Sequence, residues 1–518
     1  MKSPANNLAA MLVRSARVFP NLPAVAVGTD AFYTYGEMAR RVERIAAMLR
    51  ESLEIGARVL IVSENSLRYL EALYACWHAG MIAVPVNAKL HEKEVIGIGE
   101  ACGAEFFFTS QAWFDRLRAT SDWSARYFGC VIGGVGHEAE AIEPFEKRAE
   151  LPIEPVSLDD PAWLFFTSGT TGKPKAATLT HGNLRAMCLA FLADVLPVEP
   201  GDAMIHAAPL SHGSGLYALP HVMKAACNVV LSGGKFDPEE TRELLHEWNG
   251  SCTFGPPTII NRVVELAENA PVDGLKSVIF AGAPLYVTDL ARAWDALDGR
   301  VTQIYGQGES PCTITSMTQA MYEDALMFSD NRRLASVGVA QAGIEIKIAE
   351  NGEVLVRGPT VMKGYWRSEV STAFAFDSDQ FLRTGDAGSL DPDGFLTLHD
   401  RIKDCIITGG SNVYPREVEE VLLKHPAVRE VSVIGRPSAE WGEEIVACVV
   451  AKPDGLLDLA DIRARLIEEL DALCLANIAR FKRPKEYVFL PSLPRSGYDK
   501  TLKSELRKLV TETTGSDA

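Results

Sequence analysis

Apolar residues follow two rhythms along this chain. Through roughly the first 400 residues, short unbroken apolar runs alternate with stretches whose apolar positions recur every three or four residues. Ala57-Arg-Val-Leu-Ile-Val-Ser63 predicts a buried strand, Ser66 to Gly80 a helix, Ile82-Ala-Val-Pro-Val86 the next strand and Ala104 to Ser110 another. The pattern returns at Asn228 to Leu231, Cys252 to Phe254, Ser277 to Phe280 and Val301 to Tyr305. Strand–helix–strand alternation predicts an α/β fold with parallel sheets covered by helices. From about Ser336 the texture changes to short strands with turns between them, at Glu345 to Ile348, Gly352 to Arg357 and Phe395 to Leu398, which suits an antiparallel or barrel-like unit. After about Asp400 a small α+β unit is predicted. Pro415 opens a helix over Arg416 to Lys424, strands follow at Val431 to Ile434 and Ile445 to Val450, and helices at Leu459 to Leu470 and Thr501 to Thr511.

Composition narrows the class of protein. At 518 residues the chain is too long for one ordinary core, and 47% hydrophobic with 23% charged residues is a globular balance. The formal charge of −17 repels a phosphate backbone, so no nucleic-acid partner is expected. The ten Cys are scattered, with no C-x-x-C pair, and predict reduced thiols rather than disulfides or a metal cage. The N-terminal stretch lacks the unbroken apolar core of a secretion signal, and no run is long enough to span a membrane. A soluble cytoplasmic protein is the expectation.

The most informative segment is Thr167-Ser-Gly-Thr-Thr-Gly-Lys-Pro-Lys175, directly after the apolar run Trp163 to Phe166. Glycines and hydroxyls let backbone N–H and side-chain O–H groups surround phosphate oxygens, and Lys173 and Lys175 add positive charge. The glycine spacing is not that of a Walker loop. In isolation such a loop is more often a surface turn. Its companions, each weak alone, come in order: Ala281-Gly-Ala-Pro284, Tyr305-Gly-Gln-Gly-Glu309, Thr384-Gly-Asp386, Arg401-Ile-Lys-Asp404, Gly409-Gly410 and Pro494-Arg-Ser-Gly-Tyr-Asp-Lys500.

Together these motifs resemble the adenylate-forming superfamily, in its acyl-CoA synthetase branch, over almost the whole chain. The resemblance implies a large N-terminal domain of two helix-covered sheets plus a small β-barrel at 1–402. A mobile α+β C-terminal domain at 403–518 would turn about a hinge near Lys403. It further implies that Thr167, Ser168, Gly169, Thr170, Thr171, Gly172, Lys173 and Lys175 hold the ATP phosphates. Gly282, Ala283, Pro284, Tyr305, Gly306 and Gly308 would bound the adenine and α-phosphate side. Glu309, with Thr167, would take part in Mg²⁺ binding. Asp386 would accept the ribose hydroxyls with Arg401 beside it, and Lys500 would bridge the substrate carboxylate and the α-phosphate. Two departures stand out: Gly308 replaces the family's Thr, and Asp499 replaces the Gly before the catalytic lysine.

For the thiol, coenzyme A is the expected acceptor. Gly409 and Gly410 would let a pantetheine chain pass close to the backbone, and Trp441, Lys482 and Lys485 would meet CoA, the lysines as a basic cluster in an acidic protein. The acyl pocket would include His212, Ser214, Gly282, Gly306, Pro311 and Cys312. These are mostly small and uncharged, which favours a monocarboxylic aromatic or medium-to-long aliphatic acid. The competing readings are an acyl-AMP ligase that loads a carrier protein and a non-catalytic relative that binds nucleotide or acyl ligand. Homodimerisation is left open.

Overall fold

The computed structural model describes residues 1–120, 128–131, 151–167, 174–283, 285–408, 411–438, 440–452, 460–496 and 501–514. The chain forms two compact units. The first comprises Met1–Leu285, Arg292–Ile346 and Val356–Leu382, and the second Tyr286–Ala291, Lys347–Leu355 and Arg383–Ala518.

The first unit contains two large sheets. One has six strands in the spatial order Phe128–Val131, Ala104–Thr109, Arg58–Val62, Ile82–Val86, Pro161–Thr167, Lys175–Thr180. All neighbours run parallel except the last pair, which is antiparallel. The reason these strands read as solid apolar runs is that both faces are buried. Val59, Ile61, Phe106, Phe108, Trp163 and Phe165 point into one core. Leu60, Val62, Phe107, Leu164 and Phe166 point into another, closed by the helices Glu92–Cys102 and Gln111–Arg118. The second sheet has nine strands, ordered Val339–Ala340, Thr315–Met317, Val301–Tyr305, Leu275–Phe280, Ser251–Gly255, Ala203–Ile205, Cys227–Val230, Pro23–Val27, Asp30–Thr34. Its centre is parallel and its edges antiparallel.

The helix predicted over Ser66 to Gly80 is present as Leu67–His78 and is buried on every side, including Arg68, Glu71 and His78. Its charge is matched internally: Arg41 Nε lies 2.6 Å from Glu71 Oε1.

The texture change near Ser336 corresponds to a four-stranded, half-barrel-like sheet ordered Glu345–Ile348, Glu353–Arg357, Leu382–Leu390, Leu396–Arg401. The remainder of the second unit is a five-stranded sheet. It runs Ser411–Val413, Ile406–Thr408, Gly442–Ala451, Val428–Ser438, with Glu486–Phe489 also paired to Gly442–Ala451. Alternation again serves two cores. Ile445, Ala447 and Val449 pack with Leu466 and Leu470 of the Ala460–Asn477 helix. Val446, Cys448 and Val450 pack with Leu506 and Val510 of the Lys503–Thr514 helix. Among the described residues the cysteines are free thiols, no helix is long and apolar enough to cross a membrane, and no cluster of metal-binding side chains occurs.

Candidate active site

The Pro161–Thr167 strand ends where the glycine–hydroxyl segment begins, and Lys175 starts the antiparallel return strand in register with Thr167. The segment is therefore framed by two paired strands, unlike a Walker loop, which runs into a helix. Ser168, Gly169, Thr170, Thr171, Gly172 and Lys173 lie outside the described residues. The helix His181–Asp194 begins only after the return strand. It is capped by Thr180 and Asn183, and Asn183 also donates to the carbonyls of Pro359 and Val361. That anchors the start of a segment that adds to the return strand. Lys363 N–H donates to Thr178 O, Thr178 N–H to Gly364 O, and Trp366 N–H to Ala176 O.

This added segment delivers a residue the sequence reading missed. Tyr365 OH donates to Glu309 Oε1 at 2.8 Å, and Thr167 Oγ1 donates to the same oxygen at 3.1 Å. Glu309 Oε2 takes no hydrogen bond among the described residues, and Glu309 forms no ion pair among them. A carboxylate held by two hydroxyls with one oxygen open suits a hard cation that completes its shell with phosphate oxygens and water. Burial pushes the Tyr365 hydroxyl pKa up, and the Glu309 charge adds to it, so the phenol stays a donor. Lys175 Nζ sits 5.2 Å from the Tyr365 ring centroid. The sequence signal for Tyr365 was slight: a lone tyrosine after Gly364.

Tyr305 ends the Val301–Tyr305 strand and is 8% exposed. The turn that follows is tight: Gln307 N–H donates to Ser310 O and Ile314 N–H to Tyr305 O. A Cβ on Gly306 would lie 2.7 Å from the Cys312 backbone, so only glycine fits there. Cys312 itself has φ of 59° and is buried, as is Pro311, and burial lifts its thiol pKa to about 12. Gly282 and Ala283 follow the Leu275–Phe280 strand, Gly282 exposed and Ala283 half-buried; Pro284 lies outside the described residues.

His212 stands just before the Gly213–Met223 helix, with its ring 4.9 Å from that of Phe165 between centroids. Ser214 is fully buried, and its hydroxyl is 2.7 Å from His206 Nδ1, whose Nε2 is 3.0 Å from Asn228 Oδ1. Ser214 is thus engaged in a core network. Burial pushes His206 down to about 3, so its imidazole is neutral.

In the second unit, Asp386 and Arg401 face each other across paired strands, with Arg401 Nε 2.8 Å from Asp386 Oδ1. Lys403 is exposed in the Ile402–Asp404 turn. Trp441 and Lys485, far apart in sequence, come together with Lys485 Nζ 5.5 Å from the Trp441 ring centroid. Lys482 instead pairs with Glu417. Gly409, Gly410 and Lys500 lie outside the described residues. The described positions near Lys500 are fixed: Arg495 bridges Thr501, and Leu502 N–H donates to Pro494 O. Lys503 Nζ reaches Asp400 Oδ2 at 3.0 Å and Glu419 Oε1 at 3.5 Å, while Tyr286 OH donates to Glu419 Oε2 at 3.0 Å.

Residues 12–366 match the AMP-binding enzyme family and residues 417–515 the AMP-binding enzyme C-terminal domain. The chain is 32% identical to a feruloyl-CoA synthase of Amycolatopsis sp over 511 residues, 96% of this chain and 97% of that protein. It is also 32% identical to the long-chain-fatty-acid–CoA ligase FadD13 of Mycobacterium tuberculosis, over 98% of this chain and 99% of that one. Among solved structures, ATP-bound MatB from Rhodopseudomonas palustris superposes with a TM-score of 0.85 at 27% identity, covering 98% of this chain and 99% of that one. The Bacillus subtilis O-succinylbenzoate–CoA synthetase with AMP gives 0.80 at 27%, covering 98% of each chain. The chain belongs to the AMP-binding enzyme family, the adenylate-forming superfamily of acyl-CoA synthetases.

Proposed function

We propose that this chain converts a monocarboxylic aromatic or medium-to-long aliphatic acid to its CoA thioester, with Glu309, Thr167, Asp386 and Lys500 as principal site residues. The reaction class is that of the family: an ATP-dependent, AMP-forming carboxylate–CoA ligation. In the first half-reaction a carboxylate oxygen attacks the α-phosphorus and pyrophosphate leaves. In the second, the CoA thiol loses its proton, its sulfur attacks the acyl carbon, and AMP leaves.

The first step brings an anion to a polyanion, so cations and oriented donors must lower its barrier. Thr167 and the lysines at 173 and 175 hold phosphate oxygens. Glu309, positioned by Thr167 and Tyr365, would hold Mg²⁺, which when bound neutralises phosphate charge. Asp386 accepts ribose hydroxyls with its carboxylate oriented by Arg401. Lys500 bridges carboxylate and α-phosphate. His212 flanks the acyl group. For CoA, Trp441 and Lys485 offer a stacking face and a cation. Lys482, paired with Glu417, belongs to the same basic cluster for CoA. The cytoplasm, which supplies ATP and CoA, is the proposed compartment.

The observation carrying this reading is the Glu309 carboxylate, fixed by two hydroxyls beside the paired ends of the phosphate segment. The test is CoA-dependent AMP release across benzoates, cinnamates and fatty acids of graded length. Lys500→Ala should lower acid-dependent ATP–pyrophosphate exchange by about 10²–10³ and spare thioester formation from a supplied acyl-adenylate. Equal loss of both half-reactions would remove Lys500 from its assigned role. Acyl transfer to a carrier protein but not to CoA would replace CoA as acceptor.

A further inference from the structure

Asn183, in the first turn of the His181–Asp194 helix, uses every hydrogen-bonding site of its side-chain amide. Its Oδ1 accepts from the Thr180 N–H and from the Thr180 hydroxyl, both at 3.0 Å. Its Nδ2 donates to Pro359 O at 2.8 Å and to Val361 O at 2.9 Å. Capping the helix needs only the oxygen. The two donated bonds serve the segment 359–366 instead.

That segment is bonded on one side to the return strand Lys175–Thr180, where Tyr365 pairs with Ala177. On the other side it grips the turn that bears Glu309. The Thr360 and Ser310 hydroxyls, both buried, lie 3.3 Å apart. Met362 N–H donates to Glu309 O at 2.8 Å, and Tyr365 OH donates to Glu309 Oε1. The Val361–Met362 peptide joins the two sides: its carbonyl accepts from Asn183 and its N–H donates to Glu309. A peptide unit is planar and stiff, so fixing its oxygen fixes the direction of its N–H.

We propose that Asn183 is a positioning residue for adenylation: through the Val361–Met362 peptide and Tyr365 it sets the Glu309 carboxylate against the strands that frame the phosphate segment. This rests on the function proposed above. Asn183 touches no substrate in this role. It acts through Glu309, and a misplacement of about 1 Å in a reacting site can cost about 10²-fold in rate.

The test separates the two halves of the amide. Asn183→Asp keeps an oxygen for the helix cap and loses both donors. It should lower kcat of acid-dependent ATP–pyrophosphate exchange about tenfold, with KM for the acid unchanged. In a Glu309→Gln background the same substitution should lower kcat by less than about twofold, because the placement of a group without charge no longer matters. Hydrogen exchange should quicken about tenfold at the Met362, Lys363 and Trp366 amides, while the His181–Asp194 helix keeps its protection. Equal losses in both backgrounds, a parent-like kcat, or unchanged exchange at those three amides overturns the proposal. Should Asn183→Asp not fold, Asn183→Ser takes its place in the same cycle. A parent that exchanges with no acid removes the proposed activity, and the amide exchange then decides alone whether Asn183 orders the segment against Glu309.

Discussion

The two units treat buried titratable groups differently. In the first, His78, His181, His206 and His221 are buried, and burial lowers all four pKa values, to about 4, 3 and 4 for the last three. These imidazoles are neutral and hydrogen-bonded: His206 to Ser214 and Asn228, His221 to Tyr217 O and Cys252. Glu71 on the buried helix is charged and paired instead, with Arg41 and Arg68. In the second unit the buried acidic and basic side chains form ion pairs, Glu353 with Arg383, Asp386 with Arg401, Arg416 with Glu420 and Glu419 with Lys503. A neutral hydrogen-bonded network avoids the desolvation of ions and suits a rigid double-sheet scaffold. Buried ion pairs contribute little net stability but penalise every arrangement that separates them. In the second unit they fix where helices and turns sit: Lys503 and Arg507 tie the Lys503–Thr514 helix to Asp400 and Asp404.

Glu309, half-buried in the first unit, has no cation paired with it among the described residues. Glu309→Gln keeps an oxygen for Thr167 and Tyr365 and removes only the charge. Adenylation should fall by about 10²–10³, roughly 3–4 kcal/mol, with little change in Tm. Measured exchange near the parent rate would show that the charge is not used in that step.

Lys503→Met tests the charged character of the second unit. Burial disfavours the Lys503 cation, but Glu419 and Asp400 outweigh it and raise its pKa, while burial raises that of Glu419. Removing the lysine strands Glu419, fully enclosed between sheet and helix. The expected loss is about 3 kcal/mol, the lower end for a broken buried pair because Lys503 is 17% exposed. Denaturant unfolding measures it, and the companion Lys503→Met/Glu419→Gln should recover most of the loss.

Acidification should single out the first unit. Its buried imidazoles have folded pKa values below the unfolded value near 6.5, so the unfolded chain binds more protons between about pH 3 and 6.5. Their contribution is complete above pH 6.5 and is lost as pH falls through that window, about 2 kcal/mol per imidazole by pH 5. Hydrogen exchange should show protection dropping more in Ala203–Ile205 and Ser251–Gly255 than in Gly442–Ala451. An equal drop would erase the contrast.

The smallest effect concerns the hydroxyl that steadies Glu309. Tyr365→Phe should cost about 1–2 kcal/mol in transition-state stabilisation, read as roughly a tenfold fall in kcat. An unchanged kcat with raised KM for ATP would assign Tyr365 to ground-state binding instead.

Much of this was legible beforehand. Runs such as Arg58–Val62 and residues 445–450 read as nearly solid apolar stretches because sheets covered on both faces leave no polar side to the pattern. The limits of elements were less legible: the helix expected over Leu459 to Leu470 extends to Asn477, since packing continues past the periodic stretch. Side-chain partnerships were least legible. Nothing in the sequence pairs Lys482 with Glu417, 65 positions away, or the Ser214 hydroxyl with the His206 ring.

By itself, the order of short motifs from Thr167 to Lys500 carried the resemblance to the family, because glycine and hydroxyl groups that can surround phosphates are written in contiguous residues. What only the tertiary structure decided was which distant side chains share one volume. Tyr365 meets Glu309 across 56 positions, and Thr167 and Phe165 together occupy the space beside Gly308. Close packing makes such a choice exclusive, and no local pattern records it.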